Sequence, residues 1–216
     1  MKKIVLIGAS GFVGSAILKE ALDRRHYVKA IVRHPEKITI VHNNLVVKAG
    51  DVSFSDSVTE VCKGADAVIS AYNPGWKNPD IASETTRVYR AILEGVRQSG
   101  VKRFLVVGGA GSLFISPGKR LMDSGVIPES FLPAVRALAE VYLIDLEAEK
   151  GIDWVFFSPA GILEPGQRTN KFRLGKDDLI VNSNGESKIS VQDYAVAMID
   201  ELEKPAHHRE RFTIGY

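Results

Sequence analysis

Three glycines spaced three residues apart, Gly8, Gly11 and Gly14, stand between a short apolar run and the first helical pattern of the chain. Ile4 to Ile7 reads as a buried strand. Ile17, Leu18, Ala21 and Leu22 then recur at the spacing of one helix face. A strand that turns so sharply into a helix start can hold a diphosphate. Gly8 lets the backbone turn, Gly11 lets phosphates approach the main chain, and Gly14 lets the helix pack close on the sheet. The unpaired N–H groups of a helix start and its dipole both favour an anion, the dipole alone by roughly 0.3–2 kcal/mol. A tight turn with no ligand is the plainer alternative. The placement after a strand and before a helix is the context the phosphate motif requires.

Arg33 closes what reads as the second strand, about 20 residues after the glycine turn, where an acid would hold the ribose hydroxyls of NAD. A guanidinium offers planar, charge-assisted contacts to a 2′-phosphate instead, and His34 can assist. NADP is therefore expected over NAD, the alternative being a merely solvated strand-end arginine. Within Gly50-Asp-Val-Ser53, Asp51 has two readings. It accepts from an adenine amino group with Val52 packing on the ring, or it is a local turn and cap residue. The fifth strand ends in Gly108-Gly-Ala-Gly-Ser112. Glycines there let the backbone pass close to a flat ligand such as a nicotinamide ring. Ser112 either hydrogen-bonds a substrate oxygen, which makes it the candidate catalytic residue, or is a turn serine. The sixth strand ends in Ser158-Pro-Ala-Gly161, a rigid turn that brings Gly161 over the same crevice.

The elements that must position these residues alternate along the chain. Strands are expected at 4–7, 26–33, 44–48, 66–70, 102–107, 153–157 and 211–214. Helices are expected near 55–63, 81–99, 134–150 and 192–203, with Gly100, Gly151 and Pro205 as stop signals after three of them. Such alternation predicts an α/β fold: a doubly wound parallel sheet with helices on both faces. Residues 1–216 form one domain. Two segments, 112–133 and 159–190, are rich in Gly, Pro, Ser and Asn and follow strand ends that face the ligand crevice. They are expected to build a small substrate-side lobe.

Bulk properties remove several classes of function. The 28 basic and 26 acidic residues leave a formal charge of +2, too small to argue for nucleic acid or an anionic membrane. No apolar stretch approaches the roughly 20 residues of a membrane span, and the run after Lys2-Lys3 breaks at Gly8. Cys62 is the only cysteine, so no internal disulfide forms and a cytoplasmic home is expected. His207-His208 has no companion ligands at useful spacing, and no Gly-x-Ser-x-Gly pattern occurs, so neither a metal site nor a nucleophile elbow is expected.

The chain resembles the short-chain dehydrogenase/reductase superfamily in its atypical branch. It is similar to NmrA-type NAD(P)H-binding proteins and to flavin (biliverdin-IXβ) reductase-like proteins, often labelled NAD-dependent epimerase/dehydratase. The carriers are Gly8-Ala-Ser-Gly-Phe-Val-Gly14, Arg33-His-Pro-Glu-Lys37, Gly50-Asp51, Val106-Val-Gly-Gly-Ala-Gly-Ser112, Ser158-Pro-Ala-Gly161 and Ser187-Lys-Ile-Ser-Val-Gln-Asp-Tyr-Ala195. The resemblance implies a Rossmann-like fold. It implies that Ser10, Phe12 and Val13 also line the diphosphate and that Ser70 and Ala71 flank the adenosine side. It places Gly108 and Pro159 toward the nicotinamide.

One departure decides the expected chemistry. Dehydrogenases and epimerases of the superfamily carry Tyr-x-x-x-Lys, whose lysine lowers the phenol pKa for proton transfer. The corresponding stretch here is Leu132-Pro-Ala-Val-Arg136, and Tyr142 is followed four residues later by Leu146. Hydride transfer to a flat conjugated acceptor (a flavin, quinone or tetrapyrrole) asks less of the protein, mainly the positioning of two rings. Trp76, Phe114, Phe131 and Phe172 are candidates to stack on such an acceptor, and Tyr72 is a weaker candidate proton donor. The expectation is an NADPH-dependent reductase of a small-molecule acceptor. The alternatives are a non-catalytic NAD(P)-binding redox sensor and a nucleotide-sugar epimerase or dehydratase.

Overall fold

The computed structural model describes residues 1–216, and its architecture follows from how apolar residues alternate along the strands. In β1 (Lys3–Ile7), Ile4 and Leu6 point to one face of a sheet, Val5 and Ile7 to the other. All four are buried, as a parallel strand covered on both sides requires. The first face is covered by α1 (Phe12–Asp23) and α5 (Val191–Glu203), which bring Ile17, Leu18, Ala21, Tyr194, Met198 and Ile199. The second face is covered by α2 (Ser55–Cys62), α3 (Ile81–Ser99) and the helical segment that starts with α4 (Leu132–Glu140).

The remaining strands of the main sheet are β2 (Tyr27–Val32), β3 (Leu45–Ala49), β4 (Ala67–Ser70), β5 (Arg103–Val107), β8 (Asp153–Ser158), β10 (Arg173–Gly175) and β12 (Glu210–Gly215). Their order across the eight-stranded sheet is β10-β12-β8-β5-β4-β1-β2-β3. Every pairing is parallel except β10 with β12. The chain leaves β1 toward β2 and β3, then crosses back to place β4 on the other side of β1. This reversal opens a crevice at the carboxyl ends of β1 and β4, where doubly wound sheets bind ligands. The expected fold class is the observed one.

The irregular segments hold more structure than the sequence suggested. Residues 112–133 contain the hairpin β6 (Phe114–Ser116) and β7 (Lys119–Arg120). Residues 159–190 contain β9 (Ile162–Glu164) and β11 (Lys188–Ser190), which pair in parallel, besides the edge strand β10. Strands of two or three residues give no readable alternation. The helix expected over 134–150 also differs: after α4 the chain widens into a π-helical segment, Val141–Leu146. It carries Tyr142 flat against Phe156, ring centroids 4.9 Å apart.

Buried carboxylates pin the 159–190 segment to the body. Asp193, fully buried, accepts from Thr169 N and Oγ1, Asn170 N and Tyr216 Oη at 2.6–2.9 Å. Glu20 on α1 accepts both Arg168 donors at 2.7–2.8 Å. Burial pushes the Asp193 pKa upward, but the bonds from Thr169, Asn170 and Tyr216 outweigh it and hold the carboxyl below its ordinary value. A carboxyl lowered in the folded state stabilises above its unfolded pKa of about 3.9 and loses that contribution as pH falls. Asp193→Asn is expected to cost roughly 1–3 kcal/mol at neutral pH. Thermal melts across pH should show its gap from the parent closing below about pH 4.

Candidate functional site

The glycine turn is packed to contact, and two of its glycines are demanded by the protein itself. Gly8 has φ +78°, and a Cβ there would lie 2.4 Å from the Ala71 carbonyl oxygen on the neighbouring strand end. A Cβ on Gly14 would lie 2.1 Å from the Gly8 carbonyl oxygen. Gly11 is different: its Cβ would meet only Gly8 O, at 3.3 Å. A side chain there would press on Gly8 O by a few tenths of an ångström rather than collide with it, so packing constrains Gly11 least of the three. Gly11 is the cap residue of α1, with no side-chain cap and no acid in the first turn. The N–H groups of Phe12, Val13 and Gly14 therefore have no intrahelical acceptor.

Around this turn lies a cleft of about 380 Å³. It gathers Gly8, Ser10 and Gly11, with Arg33, Asp51, Val52 and Ala71 from the neighbouring strand ends. These expected residues are brought together. Asp51 makes the local turn contact, one oxygen accepting from Ser53 N at 2.9 Å, and it also borders the cleft. The Ser53 N–H holds its carboxyl below the ordinary range, and the Arg33 and Arg87 charges add to the effect.

Other expected residues fall outside the lining. Gly14 is buried beneath the turn, Val13 packs on the core and Phe12 is half exposed, so only their backbone can serve an anion. Ser70 is fully buried, its hydroxyl facing Tyr72 N at 3.4 Å. Gly108 and Pro159 are buried, and the space a Cβ on Gly108 would take is filled by the Phe156 ring at 2.6 Å. The missing side chain there makes room for the Phe156 ring. Gly161 N donates to Ser187 Oγ at 2.9 Å beside the β9–β11 ladder and does not line this cleft.

Ser112 requires a correction. It is 2% exposed, and both its Oγ and its carbonyl accept from Arg211 Nη1 at 2.9 Å. A hydroxyl so held is a structural tether and reaches no substrate. Of the stacking candidates, Phe172 packs against the core, and Phe114 lies under the Arg120 guanidinium, 5.4 Å from its centroid, beside an open groove away from the glycine turn. Trp76 and Phe131 instead form an edge-to-face pair, centroids 5.3 Å apart, and stand 60% and 43% exposed.

Several more residues line the cleft, of which only Tyr72 is given a role of its own by the sequence. Lys37 is carried back toward Arg33 by the 3-10 turn Pro35–Lys37. Arg87, Glu84, Tyr72 and Asn73 complete the wall on the β4–α3 side. Tyr72 Oη donates to Glu84 Oε1 at 3.0 Å, and Asn78 Nδ2 donates to Glu84 Oε2 at 2.6 Å. Burial, with Glu84 beside it, pushes the Tyr72 phenol well above its ordinary value, so it is a poor proton donor. Helical spacing marks Ile81, Thr85 and Val88 as the buried stripe of α3 but does not tell which flank meets the cleft. Tyr142 is sequestered: it is buried, stacked on Phe156 and covered by Arg211, whose guanidinium sits 4.8 Å from its ring centroid. Burial pushes its phenol up to about 12.

Comparison with known proteins agrees with this geometry. Residues 8–205 match the NAD(P)H-binding family. The chain belongs to that family. It is 42% identical to the uncharacterised protein YwnB of Bacillus subtilis, over 98% of this chain and 97% of that one. A crystal structure from Bacteroides thetaiotaomicron, provisionally described as an epimerase, is 66% identical with a TM-score of 0.95, covering 100% and 97% of the two chains. Another, from Streptococcus pneumoniae and provisionally described as an NADH-flavin reductase, is 34% identical with a TM-score of 0.83, covering 100% and 99%. No helix is long and apolar enough to cross a membrane.

The two glycine classes separate experimentally. Gly14→Ala is expected to impair folding, because its Cβ strikes backbone that cannot move aside. Gly11→Ala should melt within about 1 kcal/mol of the parent yet bind NADPH about tenfold or more weakly by calorimetry. Equal binding by the parent and Gly11→Ala would remove the phosphate from this turn.

Proposed function

We propose that the protein is an NADPH-dependent reductase whose small-molecule acceptor is a flat conjugated ring system such as a flavin, quinone or tetrapyrrole. The observation that carries the reading is the pairing of an exposed aromatic couple, Trp76 and Phe131, with the absence of any usable phenol–lysine pair. When bound, the nicotinamide supplies a hydride from its C4. The protein's own part is then to bind and to orient.

Binding falls to the first-turn N–H groups of α1 for the diphosphate and to Arg33 for the 2′-phosphate. Arg33 is exposed at the end of β2 and takes part in no ion pair, so it is free for a phosphate. Asp51 and Val52 offer an acceptor and an apolar surface to the adenine. Trp76, in the loop after β4, and Phe131, just before α4, offer ring faces to an acceptor at the carboxyl ends of the strands. Val135 packs against Gly111, which ties the start of α4, next to Phe131, to the loop that follows β5. A cytoplasmic setting, where NADPH is available, suits the lone and buried Cys62.

The test is NADPH oxidation against FMN, quinones and bilins. At least one acceptor should be reduced, and Trp76→Ala should raise its KM roughly tenfold, the scale of one lost stacking contact. Tight NADPH binding with no acceptor reduced would replace the reductase with a redox sensor. Arg33→Asp should weaken NADPH binding while sparing or improving NADH binding. Equal loss of both would overturn the 2′-phosphate assignment.

A further inference from the structure

Resting on the NADPH reading, we infer that Arg87 of α3 is a second specificity-determining cation, closing on the adenosine 2′-phosphate from the side of the cleft opposite Arg33. The two guanidinium groups come from separate elements. Arg33 follows β2, whereas Arg87 projects from the second turn of α3, and both line the same cleft with Lys37 and His34.

The charge pattern around Arg87 is what singles it out. Glu84 lies one helical turn before it, the spacing at which acid and base usually pair on a helix. Glu84 is spent elsewhere: its two carboxylate oxygens accept from Tyr72 Oη and Asn78 Nδ2. Arg87 therefore has no partner, although Arg90 and Arg97 on the same helix are each bound to two acids. The other acid in the cleft, Asp51, turns one oxygen to Ser53 N and lies within the fields of both Arg33 and Arg87. Two arginines facing one carboxylate that neither binds leave positive charge unspent at this end of the cleft. Lys37 adds to it, and His34 is occupied with Glu36 at 3.1 Å.

A ribose 2′-phosphate carries up to two negative charges and three acceptor oxygens, more than a single exposed guanidinium can satisfy. Arg33 and Arg87 approach such a group from different directions and can each donate to a different oxygen. NADH, which lacks the phosphate, would gain nothing from Arg87. The residue thus separates the two cofactors without touching the reacting ring.

Calorimetry with 2′,5′-ADP and 5′-AMP as probes tests this without turnover. Arg87→Ala should bind 2′,5′-ADP roughly 10–100-fold more weakly and 5′-AMP within about threefold of the parent. Arg87→Lys should retain part of the preference, since the charge survives without the planar fork. Higher ionic strength should narrow the gap between parent and variant, because the group is exposed. Equal loss toward both probes would make Arg87 an adenine contact and overturn the inference, as would no loss at all. If Arg33→Ala abolishes the 2′,5′-ADP preference and Arg87→Ala does not, this inference alone fails. If the parent binds both probes equally, the NADPH reading fails with it.

Discussion

The contact between the Gly14 Cα and the Gly8 carbonyl is the constraint from which the cleft is built. It brings the first turn of α1 against the end of β1, at a distance that no side chain survives. Gly8 in turn sits against the Ala71 carbonyl at the end of β4, and Ala71 N donates back to Ile7 O at 2.9 Å. Two strand ends and one helix start are thereby locked at the point where the sheet order reverses. The free N–H groups of that helix start face the space between them. A larger residue at either position would move α1 away from the sheet and dissolve the anion site along with the packing.

Electrostatics at the cleft differ from those around the buried and half-buried arginines. On the strands themselves, Arg103 of β5 is engaged by Asp153 and Glu201, and Arg211 of β12 is held by Asp177 and Ser112. Arg24 binds Glu20, Asp200 and Glu203. These pairs tie α5 and the last strand to the body, and the network around Arg211 fixes the loop that follows β5. At the cleft, Arg33 and Arg87 are left without such partners. An exposed surface pair contributes little to stability, so leaving these charges unpaired costs the fold little and keeps them available for a phosphate.

The parts of this arrangement that could be read in the sequence are those governed by local rules. The glycine spacing, the strand–helix alternation, the Gly100 stop after α3 and the strand-end Arg33 all report short-range geometry, and each lies where the pattern placed it. What escaped depends on contacts across the sheet. Ser112 has the composition of a site residue, but Arg211, 99 positions later, claims its oxygens. Gly108 makes room for Phe156, a contact across the sheet that no local pattern announces. Arg87 is indistinguishable in sequence from its neighbour Arg90, and only the packing of α3 against α2 and α4 turns one to the cleft and the other to acids. The loop strands β9, β10 and β11 are too short to carry a period, and the stretch between β9 and β10 is held by Asp193 of α5 and Glu20 of α1.

Amide chemical shifts followed by NMR during NADPH titration test the central claim most directly, because they report the diphosphate at the residues said to bind it. The largest perturbations should fall on the N–H groups of Phe12, Val13 and Gly14, with Asp51 and Val52 moving in the same saturable transition. Unmoved amides in the α1 first turn would contradict the account. So would perturbations confined elsewhere, for example to the open groove formed by Phe114–Gly118, Asp178 and Leu179.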